Sequence, residues 1–218
     1  MYGNRLIFRI RYWIAKLIYD FIFFVLVRDG SWQEGLSASL APKRGDRILD
    51  FGPGSASTAI SLAVRYPEAT FVGMDPNARS TKKARLAVSR RELRNVSFVE
   101  DPLQETLPYD ASSFDKAICI LGLHDRSPEE KARVVKAIAR VVRRGGTLHL
   151  ADFDKPENPS EGKILEYARR ISGLAAAEPH IDGRWVETLA DCGFAGVRRQ
   201  LSRSIGIGRI AIVKARKR

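Results

Sequence analysis

Arg47-Ile48-Leu49-Asp50-Phe51-Gly52-Pro53-Gly54-Ser55-Ala56-Ser57-Thr58-Ala59-Ile60-Ser61-Leu62-Ala63 is the stretch that decides the fold. A short apolar run ends in a carboxylate and passes through a turn holding two glycines. It then enters a segment with apolar residues at helical spacing, Ile60 and Ala63. The pattern predicts strand, tight loop and helix, the opening of a βαβ unit. Lacking Cβ atoms, Gly52 and Gly54 let the backbone come close to a ligand. The helix that follows offers free N–H groups and a positive dipole end to an anionic group. The same residues also read as a plain glycine turn between strand and helix.

A dinucleotide fingerprint is excluded by detail. It needs a third Gly or Ala three residues after the second Gly, where Ser57 stands, and no acid ending the first strand. Here Asp50 precedes Gly52 by two residues, and the small residues fall at 52, 54 and 56. Further along, Ala69–Met74 reads as a second strand with Asp75 at its carboxyl end, and Val96–Val99 as a third, followed by Glu100-Asp101-Pro102-Leu103. Leu107-Pro108-Tyr109 and Ser113-Phe114-Asp115 lead into a fourth strand, Lys116–Leu121, which ends at Gly122-Leu123-His124-Asp125. A helix opened by Pro128 and Glu129-Glu130 runs to about Val142 and is expected to stop at Gly145-Gly146. Strand five is then Thr147–Phe153, and the last two strands are Phe194–Gln200 and Ile205–Lys214.

Taken in order, these blocks resemble the class I S-adenosylmethionine (SAM)-dependent methyltransferases. The match lies closest to the branch of ubiquinone/menaquinone C-methyltransferases and small phospholipid N-methyltransferases. The motif (Asp/Glu)-x-Gly-x-Gly-x-Gly is met by Asp50, Gly52 and Gly54, with Ala56 at the third small position. Arg144 stands where the family's Leu-x-Pro-Gly-Gly block usually has proline. The resemblance covers residues 45–154 well and residues 1–44 and 155–184 poorly. It implies an α/β fold: a doubly wound, seven-stranded, mostly parallel sheet with an antiparallel last strand. The ligand is expected at the carboxyl ends of strands one to four.

It also implies roles. Asp50 would pair with the amino group of SAM, and Gly52 and Gly54 would approach its methionine part. Asp75 would take the ribose hydroxyls, with Met74 beside it. Asp101 would take the adenine amine, with Leu103 covering the ring, and Leu121 would stand where methyl donor and acceptor meet. Asp75 also reads as an N-cap for the next helix, though its spacing from Asp50, one helix plus one strand, favours the ribose role. His124 is the candidate catalytic residue, a general base where the acceptor must lose a proton, or else a shape-filling residue beside the donor. His149 reads as structural, and His180 as a lining of the acceptor pocket. No metal is implied.

The 218 residues suit one methyltransferase domain, 45–218, preceded by a helical segment, 1–44. With 37 Lys+Arg against 25 Asp+Glu, the charge of +12 favours anionic partners or simply marks a solvated basic surface. Cys119 and Cys192 stand isolated, with neither metal-ligand spacing nor a disulfide framework, so a reducing, cytoplasmic setting is expected. Expected partners are a small-molecule or lipid-like acceptor, with RNA or a soluble small molecule as the alternative substrate. A non-catalytic SAM-fold protein is the third reading, and self-association the further possibility.

Residues 6–27 are mostly large and apolar, yet Arg5, Arg9, Lys16 and Asp20 fall on one narrow helical face. Charged residues cost about 2.5–3.5 kcal/mol each near a bilayer centre, which weighs against a spanning helix. The small-residue cleavage site of a signal peptide is absent from this stretch. An amphipathic helix is expected, seated in an anionic membrane interface at the inner face or packed on the protein as a lid or dimer contact. Co-sedimentation with anionic liposomes tests the interface reading: the full chain is expected to bind and a chain lacking residues 1–28 is not. Equal binding by the two would remove it.

Overall fold

The computed structural model describes residues 31–52, 57–100, 107–163, 165–166, 174–205 and 208–218. The expected N-terminal amphipathic helix, Gly54, Asp101 and Leu103 lie outside the described residues. At the centre is β1 (Arg47–Phe51), whose last four residues are all buried. A strand covered on both faces has no polar side to spare, which is why Ile48, Leu49 and Phe51 are apolar on either side of Asp50. It pairs in parallel with β2 (Thr70–Asp75) on one side and β4 (Phe114–Ile120) on the other.

Beyond β2 lies β3 (Val96–Glu100). Beyond β4 lie β5 (Val142–Phe153), β7 (Arg209–Lys217) and β6 (Phe194–Ser204), giving the order β3-β2-β1-β4-β5-β7-β6. Only β7 runs against its neighbours, pairing antiparallel with both β5 and β6. This is the seven-stranded, mostly parallel sheet with an antiparallel last strand that the sequence predicts. The chain winds outward from β1 to β3, then returns to start β4 on the other side of β1. The carboxyl ends of β1 and β4 therefore flank the point where strand order reverses, where sheets of this kind open a crevice.

Helices cover both faces. α1 (Ser31–Leu40) packs Trp32 and Leu36 against Ala151 and Ile212. α2 (Ser57–Arg65) and α3 (Ala78–Arg90) bury Ile60, Ala63 and Ala84 against Ile48, Phe71, Phe98 and Ile118. On the opposite face α4 (Pro128–Val141) buries Val134, Val135 and Ile138 with Leu49, Phe51 and Leu148. Each side chain buried to this extent contributes about 1.5–3 kcal/mol. α4 starts at a capping box: the Ser127 hydroxyl accepts the Glu130 N–H at 3.3 Å, and the Ser127 N–H donates to the Glu130 carboxylate at 2.7 Å.

After β5, α5 (Leu174–Asp182), a short 3₁₀ turn (Arg184–Val186) and α6 (Glu187–Asp191) lead to the final hairpin. Ion pairs fasten the 155–184 segment to that hairpin. Arg209 holds Glu157 at 2.6 Å and Glu161 at 3.0 Å, and Arg199 holds Asp154 at 2.9 Å. No helix among the described residues is long and apolar enough to cross a membrane.

Several boundaries differ from the sequence expectation. The final strands extend to Ser204 and Lys217, and the helix expected over Trp185–Cys192 is a 3₁₀ turn followed by a short α-helix. The larger difference is at the end of α4, where Gly145-Gly146 is not a helix stop. The chain turns extended at Val142 and β5 begins at once, with an irregularity against β4 between Phe114 and Lys116. Asp115 holds this junction, accepting the Arg47 N–H at 2.8 Å and the Arg143 guanidinium at 2.7 Å. A Cβ at Gly146 would lie 2.5 Å from the Asp115 carbonyl oxygen and 2.9 Å from that of Arg143. Backbone cannot retreat as a flexible side chain can. Gly146→Ala is therefore expected to cost about 1–3 kcal/mol of stability in urea unfolding, and an unchanged midpoint would contradict this packing.

Candidate active site

The acids of the first two strands meet at the rim. In the parallel register Asp50 lies beside Gly73 and Phe51 beside Met74, which puts Asp75 at the tip of the adjoining strand. Asp50 is 1% exposed, and neither of its carboxylate oxygens has a hydrogen-bond partner among the described residues. Burial, reinforced by the charge of Asp75, pushes its carboxyl up to about 7. Next to it the chain turns at Gly52, whose φ of +69° belongs to the left-handed region and whose N–H donates to the Met74 carbonyl at 2.8 Å. A Cβ on Gly52 would meet nothing within 4 Å, so the turn faces open space and the demand for glycine is conformational.

Asp75 is 8% exposed and accepts the Asn77 N–H at 2.8 Å. The N-cap of α3 is Asn77, whose side chain accepts from the Arg79 and Ser80 amides. The capping role open to Asp75 in the sequence is thus filled by its neighbour. Met74 has its side chain in the core and serves the rim through its carbonyl.

On the other side of the switch point, β4 ends in a strained turn. Leu121 has φ of +54° and donates its N–H to the Ala151 carbonyl at 2.7 Å. A non-glycine residue in that region costs of order 1–3 kcal/mol, and such strain gathers at functional sites. The turn delivers Leu123 and His124 to Asp152, near the end of β5. Asp152 accepts the Leu123 N–H at 2.9 Å, the Phe153 N–H at 2.8 Å and His124 Nδ1 at 3.1 Å. Burial opposes charge on both partners, but their mutual attraction and hydrogen bond prevail. Asp152 is held down to about 2 and the His124 imidazole is raised. Lys131 of α4, buried nearby, is pushed down to about 8 by desolvation, against the pull of Asp152, Asp125 and Glu130.

α5 adds a second imidazole. His180 Nδ1 bonds the Phe153 carbonyl at 2.6 Å, which makes Nδ1 the protonated nitrogen. Burial lowers this group to about 4. Its ring stacks on Trp185 at 5.1 Å and meets the His124 ring edge-on at 6.5 Å. His149 is apart from this cluster, between Ser39 at 3.0 Å and Thr147 at 2.9 Å, a structural tie from α1 to β5. Sequence reasoning missed Asp152 as the partner of His124. The signal was present, since strand five ends in an acid as strands one and two do.

The arrangement fits SAM. Its ammonium, sulfonium and ribose diol call for anionic acceptors beside an open turn, and Asp50 supplies two buried acceptor oxygens that nothing among the described residues satisfies. A cation at Asp50 must displace its proton near neutrality. Calorimetry of SAM binding at pH 7 in buffers of different ionisation enthalpy is expected to show release of about half a proton, absent in Asp50→Asn. Because the folded carboxyl titrates above its unfolded value, its stabilising contribution is complete below about pH 4 and is lost as pH rises through 7. Asp50→Asn should therefore raise the Tm of the free protein more at pH 8 than at pH 5. A binding enthalpy independent of buffer would contradict the assignment.

A family model described as a methyltransferase domain matches residues 48–146. A "Ubiquinone/menaquinone biosynthesis C-methyltransferase UbiE" from Syntrophotalea carbinolica is 30% identical over 151 residues, 67% of this chain and 62% of that protein. An "Uncharacterized methyltransferase YcgJ" from Bacillus subtilis is 29% identical over 138 residues, 63% of this chain and 53% of its own. The chain thus spans less than two thirds of the length of either relative. Among solved structures, a SAM-dependent methyltransferase from Methanosarcina mazei shares the fold with a TM-score of 0.63. It is 23% identical, and the likeness covers 81% of this chain and 94% of that one. The family model spans the part of the sheet where Asp50, Asp75 and the switch point stand, so residues 48–146 carry a methyltransferase domain of the class I S-adenosylmethionine-dependent kind.

Proposed function

We propose that the protein transfers a methyl group from SAM to a quinone-like or lipid-like acceptor. The observation that carries the reading is the unsatisfied, buried Asp50 beside Asp75 at the switch point, across from a buried His124–Asp152 pair. SAM supplies an electrophilic methyl group on its sulfonium.

The chain's own residues do the rest. Asp50 takes the amino group, directly or through water, Gly52 admits the methionine part, and Asp75 takes the ribose. Asp101 and Leu103 are assigned to the adenine, and Gly54 to the methionine part, by the family motif alone. Leu121, in its strained turn, shapes the wall between donor and acceptor. Asp152 holds His124 by Nδ1, which fixes the tautomer and leaves Nε2 as the nitrogen able to take a proton from the acceptor. This favours the general-base role of His124 over a shape-filling one. The quinone-like class draws on the name of the UbiE relative, and attachment to an inner membrane face rests on residues 5–27 alone.

Calorimetry and an acceptor screen test the reading together. Asp75→Ala should weaken SAM binding by about 10–100-fold, since it removes charge-assisted hydrogen bonds. His124→Gln should keep SAM affinity while slowing methylation by about 100-fold. Mass spectrometry of quinone, lipid and RNA extracts incubated with labelled SAM should show label in the quinone or lipid fraction. Unchanged SAM affinity in Asp75→Ala would sink the donor assignment, and label in RNA alone would replace the acceptor class.

A further inference from the structure

One polar atom in the ring cluster has no role in that scheme. His180 is fully buried, with 0% of its surface exposed. Its Nδ1–H is committed to the Phe153 carbonyl at 2.6 Å, yet its Nε2 has no hydrogen-bond partner among the described residues. With the proton on Nδ1, Nε2 is a lone-pair acceptor, and burial keeps the ring neutral. Leaving such an acceptor unpaired costs about 1–3 kcal/mol. The rings around it are aromatic. Phe153 lies edge-on to His124 at 4.9 Å, His124 edge-on to His180 at 6.5 Å, and Trp185 is stacked on His180 at 5.1 Å. The cluster stands with Asp152 at the carboxyl end of the sheet, on the same side as Asp50 and Asp75.

We infer that His180 is a specificity-determining residue whose Nε2 accepts the hydrogen bond of a hydroxyl group on an aromatic methyl acceptor. The chemistry selects a neutral or weakly acidic O–H donor on a flat ring. A cation would lose its hydration here at a cost that the pull of Asp152 does not meet, as the burial that keeps His180 itself neutral indicates, and a carbonyl or ether has no proton to offer a lone pair. The proposal leans on the methyltransferase reading only in calling the ligand a methyl acceptor, because the hydrogen bond itself is a matter of binding.

Calorimetry on the full chain with 1-naphthol and 1-methoxynaphthalene tests it, since the pair differs in the O–H and keeps the ring. The wild type is expected to bind the naphthol at least about tenfold more tightly than the ether. His180→Asn, whose amide can still donate to the Phe153 carbonyl, is expected to abolish that preference while retaining the SAM-induced rise in Tm. Equal binding of the two probes by the wild type, binding of neither, or a preference that survives in His180→Asn would overturn the proposal. Should the variant fail to fold, the wild-type comparison still decides. Loss of the SAM-induced shift in the wild type, with the naphthol preference intact, would instead remove the methyltransferase reading and leave the hydroxyl site standing.

Discussion

Two carboxylates forced together at the tips of neighbouring parallel strands are the constraint that the rest of this structure serves. Asp50 and Asp75 repel each other, and the first is almost wholly removed from water with no donor to receive among the described residues. Only a rigid frame can hold charge in that position. The frame is β1 with apolar side chains on both faces, clamped by α2 and α3 on one side and α4 on the other. The packing that stabilises the sheet is thus also what prevents the acids from swinging out to solvent. Affinity for a cationic ligand is built into the core in this sense.

The acceptor side is organised differently, around a satisfied anion. Asp152 receives two backbone amides and an imidazole, and it is the point through which the turn after β4 and the end of β5 hold each other. The segment following β5 closes over the same region. It is fixed near its start by ion pairs to the last hairpin and, further on, by the bond from His180 to the Phe153 carbonyl. Among the described residues, one half of the rim is therefore electrostatically unfinished, while the other leaves one imidazole nitrogen unpaired. That division matches a donor that brings a positive charge and an acceptor that brings little.

How much of this could be read from sequence follows from the range of each interaction. The strand, glycine turn and helix from Arg47 to Ala63 are local, so periodicity was enough, and Asp75 followed from the same logic one βα unit later. The capping alternative at Asp75 was removed only by the Asn77 side chain, two residues on, a choice between near neighbours that propensity alone does not rank. The His124–Asp152 pair joins residues 28 apart across two strands, and His180 comes from the stretch least like the family. Their meeting depends on strand order, which no single motif states. The start of β5 was misplaced because glycines ordinarily end helices, whereas here the Asp115 contacts and the bulge against β4 let the strand begin before them.

That junction has a consequence for how proteins of this shape can vary. With α4 feeding directly into β5, there is no slack in which an added or lost residue could be absorbed. A shift of one position would turn every β5 side chain to the opposite face of the sheet, carrying Asp152 away from His124 and dragging apolar residues into water. Length change must be borne instead by the chain after Phe153, where the ties stand several residues apart. Diversity in what the fold accepts is thereby channelled to one side of the rim, while the other keeps its register.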